Sequence, residues 1–244
     1  MTFFEEFIEF LNINQIEHSV SQNEVLCQFH GHKAEFLLVP LDGGVVCAEN
    51  REESEAIYLF EDRWRNPKSS KALKKRILAH LGQFRRIMAR KCTIRRIDAP
   101  LAKQFLEQNH SYGYAAARYK YGMFFGDELV AVSLCSAPRA MTKDRNGIMS
   151  YEWVRYASLA DCRISGGMGK MLAHFVNEIK PQEVMSYADF EWSNGKVYTS
   201  LGFRKGGVRA SVDFWIDPLT YERRRTPPGI RISNLGSIKY LLTI

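Results

Sequence analysis

Apolar residues in FFEEFIEFLN (3–12) recur at spacings of three and four, which predicts a short helix at the start of the chain. EVLCQFHG (24–31) and AEFLLVPL (34–41) read as strands instead. A turn at DGG (42–44) and a third strand, VVCAE (45–49), follow them. AIYLFEDRW (56–64) reads as one more strand. SKALKKRILAHLG (70–82) has helical spacing, with Ser at its start and Gly82 at its stop.

The rhythm changes near residue 92. APLAKQFLEQNH (99–110) reads as a helix, and YKYGMFFGDELVAVSLCSA (119–137) as two strands around GDE. SYEWVRYAS (150–158) is a strand that leads through a glycine loop into the helix GKMLAHFVNEIK (169–180). The strand EVMSYAD (183–189), the helix NGKVYTSLGF (194–203) and the strand ASVDFWID (210–217) complete the series. An αβ alternation after a front hairpin implies an α/β (α+β) fold, with a mixed, mostly antiparallel sheet flanked by helices. Two domains are expected: a small basic α/β domain over 1–91, and a second over 92–244 that ends in a basic tail. No internal repeat or low-complexity stretch interrupts them.

Composition narrows the class. Hydrophobic residues make up 45% and charged residues 25% of the 244 positions, which excludes a disordered chain. No apolar run reaches membrane-span length, and the first residues are acidic where a secretory signal is basic. The five cysteines are odd in number and widely spaced, as reduced thiols are, so a soluble cytoplasmic protein is expected. CQFHGH sets His30 and His32 near Cys27, but no second half of a zinc site follows, and no metal is expected. The net charge of +7 gathers in 63–96 and 221–231. Such clusters suit DNA or another polyanion, and they equally suit a solvated surface.

ISGGMGKMLAHF (164–175) carries the sharpest chemical signal. Without a Lys-Ser or Lys-Thr ending it is no nucleoside-triphosphate loop, and Leu172 stands where a third glycine of G-x-G-x-x-G belongs. What remains is a glycine loop opening a helix, whose free amides suit a phosphate group. A tight strand-to-helix turn with no ligand explains the same residues.

The order of strand, G-x-G loop, helix, strand and N-x-x-x-Y-x-x-L-G-F (194–203) resembles the GNAT superfamily of N-acyltransferases over roughly residues 92–218. That resemblance implies a GNAT-like fold and acetyl-CoA as cofactor, with coenzyme A gripped by Arg163, Ile164, Ser165, Gly166, Gly167, Met168, Gly169, Lys170 and Asn194. Ile164 departs from the pattern, since the superfamily places Gln or Arg there. The resemblance also implies that Tyr198 protonates the leaving thiolate. NHSYG, YEWVRYAS, SGGMGKMLAHF and SYADFEWSNGKVYTSLGF further resemble phage-encoded proteins that join a front part of very-short-patch-repair nuclease type to a GNAT-like rear part. By that resemblance Glu35 and Glu49 fall at metal-binding positions, but the segment after Asn50 is too short for the rest of such a site. A shortened, inactive remnant is expected. A more distant similarity to Mom-type DNA-modification proteins points to DNA.

Direct acyl transfer needs a deprotonated amine, a polarised carbonyl and a proton for the thiolate. Alternation along SYEWVRYAS predicts Glu152 and Tyr156 on one face, with Trp153 and Arg155 on the other. Glu152 is the candidate base, or else a salt-bridge partner of an arginine. Asp189 either handles the substrate amine or caps a turn. Ser186, Arg155 and His110 are expected on the acceptor side, the last because histidine titrates near neutral pH. An accessory DNA-binding protein without catalysis, or a Mom-like enzyme, is the competing expectation.

Overall fold

The computed structural model of the protein describes residues 1–42, 55–141 and 147–244. The strand expected over 45–49, with Glu49, lies outside the described residues. In chain order the elements begin with α1 (Phe3–Ile13), β1 (Glu17–Ser21), β2 (Glu24–Phe29), β3 (His32–Val39), β4 (Ile57–Phe60), α2 (Glu61–Arg65) and α3 (Ser70–His80). There follow β5 (Arg85–Met88), a 3₁₀ turn at Ala89–Lys91, β6 (Thr93–Arg96), α4 (Ala99–Asn109), β7 (Tyr119–Phe125), β8 (Glu128–Cys135), β9 (Arg139–Met141) and β10 (Ile148–Ser158). The chain continues with β11 (Cys162–Ser165), α5 (Gly167–Ile179), β12 (Glu183–Asp189), α6 (Lys196–Ser200) and β13 (Arg204–Arg209). It ends with β14 (Asp213–Ile216), β15 (Arg223–Arg224), β16 (Ile230–Ser233) and β17 (Ser237–Thr243).

These elements form two compact units. One comprises Met1–Gln83, Ala188–Gly195 and Val208–Ile238; the other comprises Phe84–Tyr187, Lys196–Gly207 and Lys239–Ile244. The first therefore ends eight residues before the sequence-expected boundary of 91 and draws in two later segments. The basic stretch 221–231 is no tail, because β15 and β16 flank β14 in a three-stranded sheet.

In the first unit β1–β4 form a sheet in chain order, with β3 and β4 parallel. Helix α1 starts at a capping box, in which Thr2 and Glu5 each accept the other's backbone N–H. It buries Phe3, Phe7 and Leu11, one per turn, and the Phe7 ring meets Phe36 and Trp64 edge-on, each at 5.6 Å. The single strand expected over 56–64 is half helix. Glu61 and Asp62 favour the first turn of α2, Arg63 and Arg65 its last, and Arg65 bonds Glu61 at 2.7 Å one turn away. Asp62 is fully buried and held by Nε and Nη2 of Arg223 at 2.7 and 3.2 Å, while Nη1 reaches buried Glu191 at 3.3 Å. One arginine thus ties together three separate segments of this unit.

In the second unit the sheet runs β13-β17-β12-β10-β8-β7-β6, with β9 paired to β10. Most pairings are antiparallel, and β10 with β12 is parallel. Val130 to Cys135 of β8 are buried on both faces, which explains why Ser133 is the one polar residue among them. On one face Ala102, Phe105 and Leu106 of α4 pack with Val132, Leu134 and Ala157. On the other, Phe175 of α5 meets the rings of Tyr119, Tyr121 and Tyr151. This is the mixed α/β sheet with flanking helices that the alternation implied.

Charge divides between the units. The second carries 20 Lys and Arg against 9 Asp and Glu, a formal +11; the first carries 14 against 18, a formal −4, giving the chain's +7. The first unit, which ends at Gln83, is thus acidic, whereas residues 1–91 balance 13 Lys and Arg against 13 Asp and Glu. No described helix is long and apolar enough to cross a membrane.

Candidate active site

The second unit brings most of the sequence-predicted residues together. Gly166 takes φ +76°, a left-handed conformation that side chains resist, and it turns the chain from β11 into α5. Gly167 is needed for a different reason: a Cβ there would stand 2.6 Å from the Tyr156 hydroxyl and 3.0 Å from Ile164. Two of the three loop glycines thus serve the turn itself. No side chain caps the helix, so the amides of Gly167, Met168 and Gly169 precede its first internal acceptor and point out of its positive end. Lys170 starts the helical ladder by donating its N–H to Gly166.

Around this loop the charged residues take distinct positions. The Lys170 ammonium donates to the carbonyls of Ala89 and Cys92 at 3.0 and 2.5 Å, bracing the 3₁₀ turn against α5. Ile164 sits opposite Ile87 in the parallel β5–β11 pair and packs beside Gly167. Ser165 is exposed opposite Met88. Arg163 and Arg86 are exposed register partners, each guanidinium 5.8 Å from the Phe84 ring. Among the described residues Arg86, Arg90, Lys91, Arg95 and Arg163 make no ion pair. By contrast Arg85 bonds Glu128 and Arg96 bonds Glu178. In the first unit Arg65, Lys68, Arg223, Arg224 and Arg231 are all paired with carboxylates.

Strands β10 and β12 pair through Ser150–Glu152 and Glu183–Met185, and their described pairing ends there. At that point the Ser186 hydroxyl bonds the Trp153 carbonyl at 3.0 Å in place of a ladder bond. On its other side β10 bulges: Trp153 faces Cys135 and Arg155 faces Leu134, so Val154 has no partner across the strand. The extra residue reverses the expected alternation. Trp153 and Tyr156 share a face, with rings 5.9 Å apart, whereas Glu152 and Arg155 lie together on the α4 side. Period-2 reasoning failed because nothing in SYEWVRYAS marks the bulge.

Arg155 donates to the carbonyls of Gly113 and Val154, and its guanidinium lies 6.0 Å from the Tyr112 ring. Burial pulls its affinity for the proton down, and the attraction of Glu152 acts against that. His110 ends α4; its Nδ1 accepts the Tyr112 N–H at 3.1 Å, so it organises the turn that presents Tyr112. Asp189 and Asn194 belong to the other unit. There Asp189 accepts the Glu191 N–H at 3.0 Å, the turn-capping arrangement.

Tyr198 projects from α6 with its hydroxyl 3.0 Å from Ser186 Oγ. Its ring stacks on Tyr240 at 5.1 Å and 18°, and it meets Phe203 and Trp153 edge-on. Burial pushes the phenol above its usual value, which keeps it protonated at neutral pH. Ser133, which accepts the Trp153 indole N–H at 2.7 Å, and Tyr240 were not expected from sequence. Both reach the site from strands distant in the chain and carry no motif.

No protein-family model matches the chain, and no curated protein matches it. Solved structures are similar in outline. A Bacillus subtilis acetyltransferase in complex with CoA has 14% identity and TM-score 0.41 over 63% of this chain and 99% of that chain. A GNAT family acetyltransferase from Elizabethkingia anophelis with acetyl-CoA bound has 13% and 0.42 over 63% and 99%. The ribosomal-protein-S18-alanine N-acetyltransferase of Escherichia coli has 15% and 0.43 over 63% and 94%.

Proposed function

We propose that this chain is an acetyl-CoA-dependent N-acyltransferase that moves its acyl group directly onto an amine of nucleic acid or of a protein bound beside it. One observation carries the reading: Tyr198, a half-buried and protonated phenol, stands where β10 and β12 part, in the same unit as an uncapped glycine-led helix. The amides of Gly167, Met168 and Gly169 suit the coenzyme's pyrophosphate, and the bare Gly166 and Gly169 let it approach. Arg163, with Arg86 beside it, adds charge next to that loop. Coenzyme A supplies an acyl group activated as a thioester.

The protein's own residues do the rest. Tyr198 gives its proton to the departing sulfur, and Glu152 receives the proton of the attacking amine, directly or through water. Arg155, near Glu152 and braced on Gly113, holds the acceptor loop that His110 shapes. Lys170 fixes the loop rather than the ligand, and Asp189, already engaged in its turn, takes no part in this scheme. The formal +11 of this unit, and Arg86, Arg90, Lys91 and Arg95, which make no ion pair among the described residues, favour an acceptor carried on a polyanion. Likeness to phage-encoded and Mom-type proteins supports DNA as that polymer. The same charge supports a second reading, a DNA-binding accessory protein without turnover.

Calorimetric titration with acetyl-CoA tests the reading, run beside Met168→Glu. A carboxylate in the first turn favours the helix while repelling pyrophosphate, so that variant should fold and lose binding. Tyr198→Phe should keep binding and lose most of its thiol release. If the parent protein binds no acetyl-CoA, the acyltransferase reading fails; salt-steep DNA binding alone would then support the accessory role.

A further inference from the structure

Ser186 is buried, and its one hydroxyl hydrogen faces two oxygens at equal distance, the Trp153 carbonyl and Tyr198 Oη, each at 3.0 Å. A hydroxyl donates to one acceptor at a time. The Trp153 carbonyl needs a donor because the described β10–β12 pairing has ended one residue earlier. Its indole is pinned by Ser133, and its ring lies stacked 6.5 Å from Phe203. Tyr198 is equally fixed, between Tyr240 and Phe203, and its other acceptor, the Tyr187 carbonyl, is 3.4 Å away. Neither oxygen can move far, so the Ser186 hydroxyl is the part that turns.

We infer that Ser186 is the positioning residue for Tyr198. It donates to the Trp153 carbonyl while the phenol is intact and rotates to donate to Tyr198 Oη as the phenol loses its proton. This rests on the reading of Tyr198 as the acid. In the step concerned, an amine nitrogen bonds to the acyl carbon and the carbon–sulfur bond of the thioester breaks. The sulfur leaves with the electron pair. Tyr198 loses its O–H proton to that sulfur, forming S–H, and Ser186 stabilises the phenolate left behind. The nitrogen's extra proton passes to Glu152, directly or through water, and Glu152 releases it to solvent. Tyr198 takes a proton back from solvent, and Ser186 swings back to Trp153. Burial opposes the phenolate and the Ser186 hydrogen bond favours it, so the two act against each other at one oxygen. Ser186 thus serves the acid instead of contacting substrate, as had been expected of it.

The test reads Tyr198 directly. A fluorotyrosine placed at 198 alone ionises at lower pH than tyrosine and reports by ¹⁹F NMR, with no acyl donor present. Ser186→Ala should raise its midpoint by about one to two pH units, the worth of a hydrogen bond to a charged oxygen. Ser186→Thr, which keeps the hydroxyl, should restore it. With acetyl-CoA and an amine, Ser186→Ala should lower kcat about 10- to 100-fold with KM for acetyl-CoA unchanged, and Ser186→Thr should recover it. An unshifted midpoint in Ser186→Ala overturns the inference while leaving acetyl-CoA binding, and so the acyltransferase reading, intact. A shift that Ser186→Thr does not reverse also overturns it, because packing and not the hydroxyl would then be responsible. A shifted midpoint in a protein that binds no acetyl-CoA overturns the acyltransferase reading and, with it, the catalytic use of the pair.

Discussion

Gly167→Ala separates the structural demand on the glycine loop from its ligand chemistry. The added methyl would lie 2.6 Å from the Tyr156 hydroxyl and 3.0 Å from both Ile164 Cβ and Cγ2, where comfortable contact needs about 3.5 Å. The Tyr156 ring is held edge-on against Trp153, and Ile164 Cβ is tied to its backbone, so neither withdraws freely. Such overpacking costs about 1–3 kcal/mol. Removing a glycine from a helix returns about 0.5–1 kcal/mol. A net loss of about 1–2 kcal/mol is expected. In a Tyr156→Phe background the worst contact disappears, so the same substitution should cost about 1 kcal/mol less. Urea unfolding followed by ¹⁹F NMR of 5-fluorotryptophan protein gives the assay, because Trp153 is the one of the four tryptophans in this unit. Equal costs in the two backgrounds would refute the close approach as the reason for the glycine. A gain in stability would do so too.

Other outcomes follow from the same geometry. Gly166→Ala must hold a side chain at φ +76° and should lose about 1–2 kcal/mol, with Gly166→Asn losing less, both seen as lower melting temperatures. Arg223→Ala leaves Asp62 and Glu191 buried without their shared cation and should destabilise the first unit by about 3–5 kcal/mol in urea titrations. Burial raises Glu191 from 4.5 to about 7, and the attraction of Arg223, which gives Glu191 only Nη1 at 3.3 Å, acts against it. Between those values the folded unit keeps a proton the unfolded chain has lost, so stability should fall as pH rises through that window. Glu191→Gln should flatten the profile, and an unchanged slope would show that another group is responsible.

Much of the fold was legible in the sequence because local order is written locally. Apolar spacing marked α1, α3, α4 and α5, and β7 and β8 were legible as two strands around GDE. The glycine loop could be located too, but not explained: the left-handed turn at Gly166 and the contact of Gly167 with Tyr156 depend on how β10 and α5 pack. Other features had no local signal. The bulge at Val154 put Glu152 and Tyr156 on opposite faces, because one extra residue shifts every later side chain across the sheet. Asp62 sits in what reads as a strand, yet its burial depends on Arg223, far along the chain. The segregation of charge emerged only from where the first unit ends, because a boundary at Gln83 leaves Arg85, Arg86, Arg90 and Lys91 to the second unit. Composition and periodicity determine which elements form, since each is a property of a short window. The faces they present, the pairs they make and the oxygen that Ser186 serves are decided by contacts between distant windows, which tertiary packing alone creates.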